Sequence, residues 1–336
     1  MPEKRISMAD VAKKIGVSRA TVSYVINDIP DSNIPDSTRK KVWEAVEELG
    51  YRTNAFAKCL RGGKSDVLGF ITDNIADMPF IVDIIKGAQD EALKKNKLLL
   101  VMDIQSDQKT EEKIFSLMDQ WQVGGIIYAT TLHRSIEVTN CFFYNKTILV
   151  DCFSTKHDLP SIVPNEIQGG YIATKELINH GFKKIAFING PVSHEASIGR
   201  LKGFTNVMNE SNLDIKKDWI RNGDWWQESG YDNALDLLKM ENPPEAIFCA
   251  NDWMAMGVYD AAKKLQVKIP DDIAVIGFDN RQMIANHMHP ALTTVALPYY
   301  EMGKNAMQML LKSNDQNEIQ NIQKKLDCTV VMRQSI

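Results

Sequence analysis

Between Ile6 and Asn27 the apolar positions recur at helical spacing in two blocks: Met8, Val11, Ala12 and Ile15, then Val22, Val25 and Ile26. Gly16-Val17-Ser18 separates them, with a glycine able to end one helix in a left-handed conformation and a serine able to cap the next. The pattern predicts a helix-turn-helix. A third helix is predicted from Ser37 to Leu49, with Val42, Trp43, Val46 and Leu49 as its apolar stripe and Asp36 or Ser37 as its cap. Residues 54–64 carry one or two further helical turns before a Gly-Gly break, a length that is marginal for an isolated helix in water.

From Val67 onward, short apolar runs alternate with amphipathic stretches. Val67–Ile71, Leu98–Met102, Gly125–Tyr128, Ile148–Val150, Ile185–Ile188, Ala246–Cys249 and Ile273–Gly277 read as buried strands, and such alternation predicts an α/β body with parallel sheets. Some 270 residues exceed what one sheet of about six strands needs, so two similar lobes are expected.

Composition sharpens this picture. The 336 residues are 44% apolar, enough for a sizeable core, and the net charge is −4. Residues 1–64 hold 12 Lys and Arg against 8 Asp and Glu, whereas the remainder holds 27 against 35. A basic front on an acidic body suits a small element that meets a polyanion. No apolar run approaches the roughly 18 residues of a membrane helix, and the polar start gives no secretory core, so a cytoplasmic protein is expected with no membrane partner. Cys59, Cys141, Cys152, Cys249 and Cys328 are odd in number and scattered, which fits reduced core thiols rather than a disulfide framework or a zinc ribbon.

Enzymatic chemistry finds little support. Phosphate-cradling glycine motifs, H-E-x-x-H and the G-x-S-x-G elbow are all missing. His287 and His289 lie two residues apart, which does not put both on one helical face, and no metal or other cofactor is assigned. The second helix is more informative. If Val22, Val25 and Ile26 face inward, Arg19, Ala20, Ser23 and Tyr24 face outward near the helix start, where a recognition helix meets base edges. Arg19 suits a guanine O6/N7 pair, Ala20 a thymine methyl, and Ser18 and Thr21 phosphate oxygens. Taken alone, these residues also fit a solvated helix face.

The run Asp10-Val11-Ala12-Lys13-Lys14-Ile15-Gly16-Val17-Ser18-Arg19-Ala20-Thr21-Val22-Ser23-Tyr24-Val25-Ile26-Asn27, followed by Glu48-Leu49-Gly50-Tyr51-Arg52-Thr53-Asn54, resembles the amino-terminal signature of the LacI/GalR family of bacterial transcription regulators. The likeness continues through Gly190-Pro191, Arg200-Leu201-Lys202-Gly203-Phe204, Asn251-Asp252, Ile269-Pro270-Asp271-Asp272, Gly277-Phe278-Asp279 and Leu292-Thr293-Thr294-Val295. It implies a non-enzymatic repressor: a headpiece over 1–53, a hinge helix and linker over 54–65, and a periplasmic-binding-protein-like effector and dimerisation body over 66–336. The chain would cross three times between lobe one (66–163 plus 293–330) and lobe two (164–291).

The same resemblance implies a homodimer reading a pseudo-palindromic double-stranded operator. Ser18, Arg19, Ala20, Thr21, Ser23, Tyr24 and Asn27 would form the headpiece face. Asn54, Ala57, Lys58, Leu60 and Arg61 would form the hinge, with Leu60 wedged into the minor groove. Tyr24 and Cys59 depart from the family pattern, which commonly has a long polar residue at the first position and a small polar one at the second.

For the cleft, the resemblance points to Arg200 and Asp279 as a cation donor and an acceptor bracketing hydroxyls, with Asn251, Asp151 and Phe80 as further contacts. Asp279 also fits a strand cap. Trp225 and Trp226 are the unusual feature: at most one indole is expected to stack on a ligand, because consecutive residues rarely face the same way, and each also fits core packing against the following helix. These aromatics favour a carbohydrate effector over a purine, and a protein co-effector stays open.

Overall fold

The computed structural model describes residues 6–27, 29, 32–52, 65–75, 80–312 and 322–336. The chain divides into two compact units, Met1–Ser65 and Asp66–Ile336.

The first unit contains α1 (Met8–Ile15), α2 (Arg19–Ile26) and α3 (Asp36–Leu49). Ser7 begins α1 with a capping box: Asp10 N–H donates to the Ser7 hydroxyl, while Ser7 N–H donates to the Asp10 carboxylate at 2.8 Å. Gly16 ends α1 at φ +70°, and Ser18 caps α2 by accepting Thr21 N–H at 3.0 Å. Val11, Ala12, Val22, Val25, Val42 and Ala45 form the core where the three helices meet. Two expectations fail here. Trp43 is 50% exposed, and Ala45, not Trp43, completes the buried stripe of α3. Pro35 stands at the start of α3 without a side-chain cap, in place of Asp36 or Ser37.

The second unit holds two six-stranded sheets. The first runs in the order β11-β5-β4-β3-β1-β2, where β1 is Val67–Thr72, β2 Leu98–Asp103, β3 Ile126–Ser135, β4 Thr147–Phe153, β5 Ser161–Pro164 and β11 Gln323–Leu326. The second runs β12-β10-β9-β8-β6-β7, where β6 is Ile185–Asn189, β7 Ile220–Asn222, β8 Ala246–Cys249, β9 Ala274–Asp279, β10 Thr293–Ala296 and β12 Thr329–Val331. All neighbouring pairs are parallel except β10 with β12. The two-sheet α/β architecture is therefore as the sequence predicts.

Membership of the sheets corrects the expected lobe boundaries. Residues 293–296 pair with β9 in the second sheet, so the chain returns to the first lobe only after Ala296. After β11 it crosses again: Ser335 exchanges hydrogen bonds with Val275 in the second lobe. Leu98–Met102 is not a buried strand either. β2 is an edge strand, with Leu98 65% and Leu100 39% exposed.

Helices cover both faces of each sheet. On the first, Phe70, Ile127 and Val150 pack against α4 (Ile81–Leu93) and α11 (Tyr299–Lys312), and Ile71 and Tyr128 face α5 (Gln108–Gln120). The second sheet centres on Phe187, Phe248 and Phe278 and is covered by α6 (Glu166–Asn179), α7 (Glu195–Glu210), α8 (Gln227–Leu238) and α9 (Asp252–Leu265). A four-residue α10 (Gln282–Ala285) precedes β10.

Three helix pairs cross closely through a glycine on each helix. A Cβ on Gly87 or Gly303 would lie about 2 Å from the backbone of Tyr300 or Ile84, closing α4 on α11. Gly170 and Gly203 do the same for α6 and α7, and Gly230 and Gly257 for α8 and α9. Cys141, Cys152, Cys249 and Cys328 are buried free thiols; Cys59 lies outside the described residues. Among the described residues no helix is long and apolar enough to cross a membrane.

Candidate functional site

On the headpiece, Ser18, Arg19, Ala20 and Tyr24 are exposed and Thr21 is half-buried, so these five share the open side of α2. Ser23 does not join them. Its side chain is 8% exposed, and its hydroxyl and carbonyl both accept from the Asn27 amide, at 3.2 and 2.7 Å. Helical spacing explains the difference, because position 23 falls on the flank of α2 beside Ile26, whereas positions 20 and 24 lie opposite the buried Val22. Asn27 is thereby engaged at the helix end. Asn54, Ala57, Lys58, Leu60 and Arg61 lie outside the described residues.

The body carries a cleft of about 350 Å³ between its two sheets, at the carboxyl ends of the strands. Ligands bind at that edge of open α/β sheets because loops there converge while the core stays closed. Phe80, Asp151, Arg200, Trp225, Asn251 and Asp279, the six cleft residues expected from sequence, all line it. Thr131, His133, Glu166, Trp253, Arg281 and Tyr299 line it too and were not anticipated.

Local backbone explains how they converge. The register of β3 on β4 shifts between Ala129 and Arg134, opening the segment that presents Thr131 and His133. Asp151, Trp225 and Asp279 hold positive φ of 57°, 78° and 97°. Such conformations cost non-glycine residues energy and gather at functional sites, where surrounding contacts over-determine them.

Arg200 is 4% exposed and is the hub of the charged groups. Its Nε donates to Glu166 Oε2 at 2.8 Å and its Nη2 to Glu166 Oε1 at 3.3 Å. Nη1 donates to the Ala250 carbonyl and lies 3.5 Å from Asp279 Oδ1. The guanidinium also covers the Phe278 ring at 3.7 Å. Burial pushes the Glu166 carboxyl up, but the charges of Arg200 and His133 outweigh it and hold the pKa down to about 2.

Asp151 differs. It is 2% exposed, Oδ1 has no partner among the described residues, and burial lifts its pKa to about 8 against the pull of His133 and Arg200. Burial also raises Asp279, opposed by Arg200 and Arg281. For His133 burial acts downward, yet Glu166 and Asp151 win and the imidazole is raised.

The aromatic walls come from both lobes. Phe80 stacks on Tyr299 at 4.9 Å and 16°, under the Arg281 guanidinium at 5.3 Å. Opposite, Trp225 packs its ring edge against Gly190 and donates Nε1–H to His194 Nδ1 at 2.9 Å. Asp224 accepts Trp226 N–H at 3.0 Å, fixing the turn before α8. Both tryptophans line the cleft, because positive φ at Trp225 breaks the alternation that would separate consecutive side chains. Asn251 is committed elsewhere, its amide donating to the Trp225 carbonyl at 2.9 Å and its oxygen capping α9 through Met254 N–H at 2.8 Å. It positions the Trp225 loop.

Among the described residues no group of three or more His, Cys, Asp or Glu could hold a metal ion.

Comparison with known proteins agrees with this architecture. Residues 7–54 match the model for bacterial regulatory proteins of the lacI family, and residues 174–336 that for a periplasmic binding protein-like domain. The HTH-type transcriptional repressor PurR of Klebsiella pneumoniae (strain 342) is 31% identical over 322 residues, spanning 94% of this chain and 93% of that protein. Its namesake in Proteus mirabilis (strain HI4320) is 32% identical over 308 residues, spanning 91% and 89%. The lac repressor dimer bound to operator and the anti-inducer ONPF is similar with a TM-score of 0.77 at 25% identity, covering 99% of each chain. A LacI-family putative transcriptional regulator from Rhizobium etli gives 0.70 at 26% identity, covering 80% of this chain and 98% of its own. The chain belongs to the lacI family of bacterial regulatory proteins, DNA-binding transcriptional repressors rather than enzymes.

Proposed function

We propose that this protein is a cytoplasmic repressor whose operator affinity is set by a small carbohydrate held in the cleft. One observation carries the reading. Arg200, Glu166, Asp279 and Asp151 converge between aromatic walls that belong to different lobes, so an occupant would contact both lobes at once. A ligand that prefers one lobe arrangement biases the equilibrium between arrangements by its differential affinity, typically about 1–3 kcal/mol of coupling. Hydroxyl-rich rings suit the site because aromatic faces pack on C–H surfaces while carboxylates and guanidiniums take the hydroxyls.

The DNA-facing half of the proposal rests on α2, with Arg19, Ala20 and Tyr24 toward bases and Ser18 and Thr21 toward phosphates. Two copies would read the half-sites of a pseudo-palindrome. The similar lac repressor structure contains a dimer, an operator and an anti-inducer, which supports this assembly for the present chain.

The test is operator binding by the purified full chain, with sugars, sugar phosphates and nucleobases added in turn. A sugar that shifts operator affinity at least fivefold is the expected result. A response confined to nucleobases overturns the carbohydrate assignment, and operator binding insensitive to every small molecule overturns effector control and points to a protein co-effector.

A further inference from the structure

Two properties of the cleft are not used by a single bracketed ring. The first is its depth and its second aromatic surface. Asp151 and Arg200 sit at the buried end, whereas Trp226, 56% exposed, meets Trp253 at 6.2 Å and 56° toward solvent. Neither of these two indole N–H groups has a hydrogen-bond partner among the described residues, unlike that of Trp225, which His194 takes. An angled pair of half-covered indoles with unspent donors is a platform for a ring lying outside the buried polar end.

The second property is charge. Four carboxylates (Asp151, Glu166, Asp224 and Asp279) and two guanidiniums line the cleft. Both guanidiniums already face carboxylates: Arg200 is paired with Glu166 and Asp279, and Arg281 Nε lies 3.6 Å from Asp279 Oδ2. Recognising a phosphate or carboxylate calls for an uncommitted cation, and each guanidinium of the cleft already faces a carboxylate. Among the described residues Asp151 Oδ1 is a buried acceptor with no polar partner, while His133 Nδ1, 3.7 Å from Glu166 Oε1, and Arg281 Nε stand beyond hydrogen-bond distance of the carboxylates they face, a mixture of acceptor and donor suited to neutral hydroxyls.

We infer that the effector is an uncharged saccharide of at least two rings, the inner one held by Asp151, His133 and Arg281 and the outer one stacked on Trp226 and Trp253. The inference rests on the proposed role of the cleft as a sugar site, and makes Trp226 and Trp253 the residues that set ligand length.

Calorimetric titration of the full chain tests it, using cellobiose, maltose, lactose, trehalose, sucrose and melibiose against glucose, galactose, fructose and their 6-phosphates. The expected result is one disaccharide bound at least tenfold more tightly than its own monosaccharides and their phosphates. Trp226→Ala and Trp253→Ala should each erase most of that gain, and Trp226→Phe, which keeps an aromatic face, should restore it; melting curves check that each variant folds. The inference is overturned by a monosaccharide or sugar phosphate binding as tightly as every disaccharide, by Trp226→Ala leaving the disaccharide affinity intact, or by no saccharide binding. A disaccharide that binds through these tryptophans yet leaves operator affinity unchanged would instead overturn the regulatory proposal and leave the ligand class standing.

Discussion

Glu166, the first residue of α6, closes both of its carboxylate oxygens on the Arg200 guanidinium of α7, at 2.8 and 3.3 Å, with both side chains almost fully buried. The pair stands where the chain first leaves one sheet for the other. Removing one member of a buried pair leaves the other charge uncompensated.

Glu166→Gln should therefore lower stability at pH 7 by about 3 kcal/mol. Because the Glu166 pKa falls from the ordinary 4.5 to about 2, its contribution is present above pH 4.5 and fades as pH drops toward 2. Urea denaturation at pH 7, 4 and 3 checks this. Wild type and variant should converge as the medium is acidified, and equal stabilities at pH 7 would refute the role given to the pair.

Asp151 predicts the opposite pH trend. Its folded pKa of about 8 exceeds the ordinary 3.8, so the cost of holding it buried grows from about pH 4 and levels off above pH 8. Asp151→Asn should raise the melting temperature relative to wild type increasingly between pH 5 and pH 9. A constant difference across that range would show that Asp151 does not retain its proton in the folded protein.

Gly203→Ala should destabilise the second lobe by about 1–3 kcal/mol through overpacking. The added methyl would sit 2.1 Å from the Ile167 carbonyl oxygen and 2.4 Å from Tyr171 N, both backbone atoms that no rotamer change can move away. A denaturation midpoint equal to wild type would mean that α6 and α7 part without penalty.

On the headpiece, Arg19→Ala should cost about 1–3 kcal/mol of operator binding and relax discrimination at one base pair per half-site. Ser18→Ala removes the cap on Thr21 N–H and should cost about 1 kcal/mol of headpiece stability. Gel-shift titration against single-base operator variants separates the two. Uniform weakening by Arg19→Ala across all variants would reassign that side chain to a phosphate.

Local signals explain why much of this was legible beforehand. Gly16 and Ser18 perform the turn and cap that their types dictate, and uninterrupted apolar runs such as Ile185–Ile188 and Ala246–Cys249 are buried in parallel sheets. Leu98–Met102 misled because apolar content alone does not distinguish a central strand from an edge. Glu166 and Trp253 escaped notice for a different reason. An acidic residue in a first helical turn normally serves the helix dipole in water, and Glu166 meets Arg200 only through a fold that brings positions 34 apart together. Trp253 follows the Asn251-Asp252 pair that did attract attention, but nothing local marks it as facing Trp226. Ser23 shows the reverse error, a small polar side chain assigned to solvent and then found beneath Asn27.

The three glycine crossings bear on how a signal can leave the cleft. Where main chain rests directly on main chain, no rotamers stand between helices to absorb a small displacement, so each lobe should respond to an occupant as a stiff block. Deformation is then left to the three connecting stretches, after Pro164, Ala296 and Leu326. A shift of an ångström at the ligand becomes a rotation of everything attached to the moving block, with the lever arm, rather than a relay of side chains, supplying the amplification.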